Sequence, residues 1–356
     1  MNPIRYLDLG TVSPIRSQTV YHAVAHAMTP DTPNTIILVS PAQPYACVGF
    51  HQNLEKEVDL DYCRQHNLPV YRREVGGGAV YLDDGQVFTQ WVFQPGQLPV
   101  KLEDQYRLYI EPLVATYQTL GIDAYLRPVN DIHVGGKKIG GTGAAQIGQG
   151  QVVVGSLMFD FDKATMARIL KVPSEKMRDK IFESLEQYMV TMAELLPTPP
   201  DRAAVKKLYI DQCAAALNAE IVPGELTAEE EAIAARLDAA FAADDWLFQK
   251  GSLKQVGVKI HQDVRVVETA LKAPGGLIRV TARLREGHID DIALSGDFTM
   301  LPASGLVAIE AALRGVGVQH EALVARLSDL YHRLNIQSPG VTPENFSDAV
   351  LQAAGS

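Results

Sequence analysis

Two glycine-rich blocks, each containing a pair of cations, constrain this chain more than any other feature. The first reads Arg72-Arg73-Glu74-Val75-Gly76-Gly77-Gly78-Ala79-Val80 and continues as an apolar, strand-like stretch. Glycine has no side chain and loses the most conformational freedom on folding, so three in a row are not there for packing. They belong where backbone passes close to a ligand or takes up positive φ. Neighbouring guanidiniums suit an anion such as phosphate, which their planar forks bind through paired hydrogen bonds. A lone triple glycine fits a plain hairpin turn equally well.

The second block reads Asn130-Asp131-Ile132-His133-Val134-Gly135-Gly136-Lys137-Lys138-Ile139-Gly140-Gly141-Thr142-Gly143. Its spacing predicts a hairpin: a strand over Asp131–Val134, a turn at Gly135–Gly136, and a return strand from Lys137. Alternate residues of a strand face opposite ways, so Lys137 and Lys138 cannot both enter one site. One is solvated. The other, flanked by Ile139 and glycines, is held against a ligand.

A chain of 356 residues exceeds one minimal core and allows two domains. A formal net charge of -10 argues against nonspecific DNA or RNA binding and confines the basic chemistry to a local pocket. No apolar run approaches bilayer length, and Met1–Asp8 lacks an export pattern, so neither membrane nor secretion is expected. Cys47, Cys63 and Cys213 are scattered without CxxC spacing, which argues against a zinc cluster or disulfide framework and fits a reducing cytoplasm.

Periodicity predicts helices over Ser17–Met28, Val58–Gln65, Glu103–Leu120, Lys163–Lys171, Ile181–Leu196, Arg202–Asn218 and Thr227–Ala243. Strands are expected over Thr35–Ser40, Tyr45–Gly49, Pro69–Arg73, Gln86–Phe93 and Gln151–Phe161, with Asp123–Arg127 leading into the lysine hairpin. Further on come a hairpin over Gly276–Ala293 and helices over Gly305–Leu313 and Glu321–Leu334. Strands in hairpins interrupted by long helices indicate an α+β architecture, not a doubly wound one. The hairpin over Gly276–Ala293 and its helices place a boundary near residue 245. Among other polar groups, His22, His26 and His133 lack metal-ligand spacing and read as surface or core histidines. Cys47 reads as a buried small hydrophobe, Asp160 and Asp162 as caps, and the tyrosines of Glu103–Leu120 as helix core.

At these residues the chain resembles the lipoate–protein ligases, of the biotin/lipoate ligase-like family. The shared pattern includes Arg72, Arg73, Gly76–Gly78, Ala79, Val80, Asp83 and Gly85, then Asn130, Asp131, Ile132 and Lys137–Gly140, then Gly155-Ser156-Leu157. Gly49, Gln52, Asn53 and Glu57 fit the run before the first block. Val75, Leu82 and Gln86 depart from it, standing where the family commonly has Ser or Thr, His, and Asn. The resemblance implies a mixed sheet flanked by helices, with a catalytic domain over residues 1–244. A small α+β accessory domain follows over residues 245–356. It implies activation of lipoate or octanoate with ATP and Mg2+, then transfer to a lysine of a lipoyl-carrier protein. A glycine cleavage H-like protein or the acyltransferase component of a 2-oxoacid dehydrogenase would be such a carrier.

Carried onto this sequence, Lys138 is the catalytic cation, with Lys137 as the alternative. Arg73, Gly76, Gly77, Gly78, Asn130, Asp131 and Lys138 bind nucleotide, and Asp131 also serves the Mg2+, although it equally suits a cap of the hairpin. Arg72, Val75, Ala79, Val80, Gly140 and Gly155 contact substrate, although Arg72 equally suits a structural ion pair. Two rivals remain. An octanoyl or lipoyl transferase of the same fold would need an activated thiol, and no cysteine lies inside either block. A non-catalytic adenylate binder is favoured only by Leu82.

Overall fold

The computed structural model describes residues 3–249 and 264–355. They form two compact units. The first comprises Met1–Val48, Val58–Arg73 and Val80–Leu247; the second comprises Gly49–Glu57, Glu74–Ala79 and Phe248–Ser356.

The first unit is built on a six-stranded mixed sheet. In spatial order its strands are Gly143–Ile147, Gly150–Met158, Gln86–Phe93, Thr35–Pro41, Ile4–Val12 and Ile221–Pro223. Ile4–Val12 runs parallel to both of its neighbours, and the remaining pairs are antiparallel. Gln86–Phe93 is buried at every residue, as a central strand covered on both faces must be. Trp91, fully buried, meets Tyr109 edge-on at 5.1 Å and donates through Nε1 to Tyr209 Oη at 3.0 Å. That satisfies the indole polar group inside the core. The helix Leu102–Thr119 carries Tyr106, Tyr109, Ile110, Leu113 and Tyr117 inward, the stripe expected from their spacing.

Two small sheets extend this core. In one, Tyr45–Val48 lies between Val70–Arg72 and Val80–Leu82. In the other, Ala124–Arg127, Asp131–Val134 and Lys137–Gly141 form an antiparallel meander.

One expected helix is redrawn. In place of Ile181–Leu196 there is a helix over Glu175–Tyr188 and a separate turn over Met192–Leu195. The interruption has a cause: Val190 N donates to Lys138 O at 3.0 Å, so the chain pairs with the lysine hairpin there. Thr191 then opens the next turn with a reciprocal capping box. The first of these helices buries only Arg178, whose Nη1 donates to the carbonyls of Ala167, Arg168 and Leu170.

In the second unit, Val264–Ala273, Gly276–Arg285 and His288–Gly296 form a three-stranded antiparallel sheet. Helices Gly305–Leu313, His320–Leu334 and Pro343–Ala354 accompany it. Ile278, Val280, Ile292, Phe298, Leu306, Leu327 and Phe346 make the core. Among the described residues, no helix is long and apolar enough to cross a membrane.

Candidate active site

The lysine hairpin forms as the sequence predicts, with one addition. Asp131 pairs with Gly141 and Ile132 with Gly140, whereas His133 pairs with Lys138, so Ile139 is an extra residue on its strand. This β-bulge changes which side chains share a face. Lys138, opposite His133, comes to lie on the same side as Asp131 and Gly141. Lys138 Nζ sits 2.7 Å from Asp131 Oδ1. A Cβ on Gly141 would stand 3.0 Å from that ammonium, so the missing side chain leaves room for it. Lys137 points elsewhere, its Nζ donating to Glu186 O at 3.2 Å.

Other polar groups of the hairpin lie close to this pair. His133 is buried; its Nδ1 lies 3.2 Å from Gly136 O, and its Nε2 lies 3.9 Å from Asp131 Oδ2. Burial lowers the His133 pKa from its ordinary value, and the Lys138 and Arg127 charges push the same way. The ring is therefore neutral near pH 7. Asn130 closes the open end of the hairpin: its carbonyl accepts from Thr142 N at 2.9 Å and Thr142 Oγ1 at 3.0 Å, and its side-chain amide donates to Thr142 O. Gly155, on the central sheet, lets the hairpin approach, because a Cβ there would stand 3.1 Å from Gly141 O and Tyr109 Oη. A Cβ on Gly140 would meet Ile132 Cδ1 at 3.4 Å and Ser156 O at 3.7 Å, ordinary contact distances. Thus Asn130, Asp131, Lys138, Gly140 and Gly155 are gathered in one place.

The arginine pair divides. Arg72 is fully buried; Nε and Nη2 both donate to Leu247 O, at 3.0 and 2.8 Å. Trp246 Nε1 returns a bond to Arg72 O at 2.9 Å. Burial draws the Arg72 pKa down to about 10, leaving the guanidinium charged at pH 7. Arg73 is only partly buried, with Nη1 donating to Cys47 O at 3.3 Å. Val80 pairs with Cys47, and Val80, Leu82 and Tyr71 pack half-buried against Val39, Tyr45, Cys47 and Phe88. The apolar Leu82 thus has an apolar setting.

Val75, Gly76, Gly77, Gly78 and Ala79 belong to the second unit. Gly77 has φ +94°, a conformation that favours glycine. A Cβ on Gly76 would stand 2.7 Å from Phe298 O and 2.8 Å from Thr299 Cα. No signal in the sequence links this loop to residues more than 200 positions away.

Cys47, Cys63 and Cys213 are all buried and unbonded to one another. Burial raises all three pKa values, that of Cys63 to about 11. Among the described residues, no three His, Cys, Asp or Glu side chains come together as a metal site. Asp162 caps the helix Lys163–Ile169 by accepting from Thr165 N at 2.8 Å, as expected.

A mixed sheet carrying a cation hairpin, with a small α+β unit behind it in sequence, defines the lipoate ligase fold class. Residues 16–214 match the lipoyl protein ligase A/B catalytic domain, and residues 267–350 match the bacterial lipoate protein ligase C-terminus. The chain belongs to this family of lipoate ligases and octanoyltransferases. It is 30% identical over 278 residues to an octanoyltransferase LipM of Kyrpidia tusciae, covering 70% of this chain and 100% of that protein. It is 27% identical over 293 residues to lipoate–protein ligase 1 of Staphylococcus aureus, covering 82% of this chain and 84% of the other. The fold is shared with a bi-partite lipoate protein ligase of Thermoplasma acidophilum, described together with its E2 lipoyl domain. That likeness has TM-score 0.64 and 24% identity, over 72% of this chain and 100% of that one.

Proposed function

We propose that this chain is an ATP-dependent lipoate–protein ligase, and the observation that carries the reading is the state of its thiols. Transfer through a cysteine thioester needs an accessible thiolate. All three cysteines are buried with raised pKa values. The match of residues 267–350 to a lipoate ligase C-terminus supports the same reading. The octanoyltransferase reading is favoured by the Kyrpidia relative, which is likened to only 70% of this chain.

A carboxylate is a poor acyl donor because oxide would have to leave. Joined to AMP it becomes a mixed anhydride whose leaving group is a phosphate monoester. In the first step the lipoate or octanoate carboxylate attacks the ATP α-phosphate and pyrophosphate departs. In the second, a carrier lysine amine attacks the acyl carbon and AMP departs. Phosphoryl transfer depends on positioning and charge compensation. Lys138, presented beside Asp131, supplies the cation at the α-phosphate and carboxylate. Asn130 and Arg73 bind nucleotide, and Gly76–Gly78 bring backbone close to the acyl-adenylate.

Asp131 would hold Mg2+, which binds through one or two protein carboxylates together with nucleotide phosphates and would supply charge neutralisation there. Val80, with Val75 and Ala79, contacts the acyl chain, Gly155 admits the lysine hairpin, and Gly140 on that hairpin faces the substrate. Arg72 acts as a strut beneath Arg73. Residues 1–244 carry both chemical steps, and residues 245–356 assist them. A lipoyl domain is the proposed carrier, by likeness to the Thermoplasma system. The test is pyrophosphate release from ATP and Mg2+, which should require free lipoate or octanoate. Acyl transfer from an octanoyl carrier without ATP, and no pyrophosphate release, would overturn the reading.

A further inference from the structure

The second unit includes two segments remote in sequence from the rest of it: Gly49–Glu57 is tied to its sheet, and Glu74–Ala79 lies against Phe298 and Thr299 just beyond that sheet. Gly49–Glu57 ends in a short helix over Leu54–Glu57. Glu57 Oε1 accepts from Arg279 Nε at 2.6 Å. Lys56 Nζ lies 2.6 Å from Glu268 Oε1 and 3.3 Å from Thr281 Oγ1, and Thr281 Oγ1 itself donates to Glu268 at 3.0 Å. The Lys56 hydrogen bond is the main cause lowering the Glu268 pKa. Two adjacent residues of opposite sign therefore meet two partners of reversed sign. Exchanging those partners would set like charges together, so the arrangement specifies one docking register.

The same segment reaches the glycine loop directly. Phe50 N donates to Val75 O at 3.1 Å, and a Cβ on Gly49 would stand 1.9 Å from Gly77 O. His51 O accepts from Gly296 N at 3.0 Å, and the His51 ring stacks on Phe298 with centroids 5.4 Å apart. Phe298 and Thr299 in turn back Gly76. The ion pairs, the Gly49–Glu57 segment and the triple glycine form one continuous chain of contacts.

We propose that Glu57–Arg279 and Lys56–Glu268 are positioning pairs that hold Gly76–Gly78 where its backbone can receive the acid substrate. This rests on reading the glycine loop as substrate-binding. Neither pair touches the reacting atoms. Both are partly exposed, so added salt weakens them.

The experiment compares full-length Glu57→Arg, Arg279→Glu and the double swap, with Lys56→Glu, Glu268→Lys and their double as a second set. Lipoate binding is measured calorimetrically without ATP, and KM and kcat are measured for pyrophosphate release. Each single change should weaken lipoate binding about tenfold, ~1.4 kcal/mol, and raise the lipoate KM alike while sparing the ATP KM. Each double swap should recover most of the loss. Singles that bind as the wild type does, or doubles no better than singles, would overturn the proposal. If a single variant loses its cooperative melt, Glu57→Gln and Arg279→Lys replace it, with partial loss expected from the first and near-normal binding from the second. Wild-type protein that binds lipoate yet releases no pyrophosphate refutes adenylation alone. Wild-type protein that binds no acid refutes both.

Discussion

Lys138 and Asp131 meet across a β-bulge, Nζ to Oδ1 at 2.7 Å, in space that Gly141 leaves by having no side chain. If Ile139 paired with His133 in simple register, Lys138 would fall opposite Val134 and face away from Gly141. The bulge therefore aims the cation and also clears the place it occupies.

Gly141→Ala tests that arrangement. The new Cβ would crowd both the ammonium and Asp131 Oδ1, the latter at 3.3 Å. The Gly141 backbone lies outside the positive-φ set, so the fold should tolerate alanine. Displacing a catalytic group by this much should lower kcat for pyrophosphate release roughly ten- to hundredfold. Steady-state kinetics with a thermal melt as control checks it; unchanged kcat would detach Gly141 from the site.

The hairpin itself was legible because its information is local: the Gly135–Gly136 turn and the strands on either side sit within a dozen residues. The bulge was not, since it depends on which residues pair. Glu175–Tyr188 starts earlier than its apolar spacing indicates, where Ser174 caps it, and it stops where a tertiary bond joins Val190 to Lys138 although periodicity continues. Gly143–Ile147 has a single β-branched residue, Ile147, to mark it as a strand, and Ile221–Pro223 is a strand only by lying beside Ile4–Val12. The helix Pro343–Ala354 did carry a local signal, Thr342 before Pro343, which could have been read. At the site, the cation and glycine chemistry could be read from sequence. The partners of Arg72 and of the triple glycine could not, because they lie 175 and more than 200 residues away.

Arg72→Ala should cost about 3 kcal/mol, combining a cavity with a carbonyl left unbonded at Leu247. Denaturant unfolding measures it. Arg72→Lys should not restore stability, because one ammonium cannot reproduce the two-pronged contact. Wild-type stability in the alanine variant would remove Arg72 as a strut.

His133 makes stability pH-dependent. Its folded pKa is lowered by burial, so the unfolded chain binds the proton more readily. The contribution is complete above the ordinary value of 6.5 and is lost as pH falls through the lowered folded value. His133→Gln should flatten the stability profile across that window, measured by urea midpoints. A profile unchanged by the substitution would show that His133 does not titrate there.

Replacing Cys47, Cys63 and Cys213 together with alanine should weaken the core but leave acid-dependent pyrophosphate release in place. If any single cysteine substitution abolishes acyl transfer in a folded protein, a thioester route operates.

The most direct test incubates the protein with ATP, Mg2+ and lipoate, without carrier, and detects acyl-AMP by mass spectrometry. The wild type should form lipoyl-AMP, and a folded Lys138→Ala variant should form it on the order of 10²–10³-fold more slowly. Absence of acyl-AMP with the wild type, or equal formation by the variant, would contradict the account.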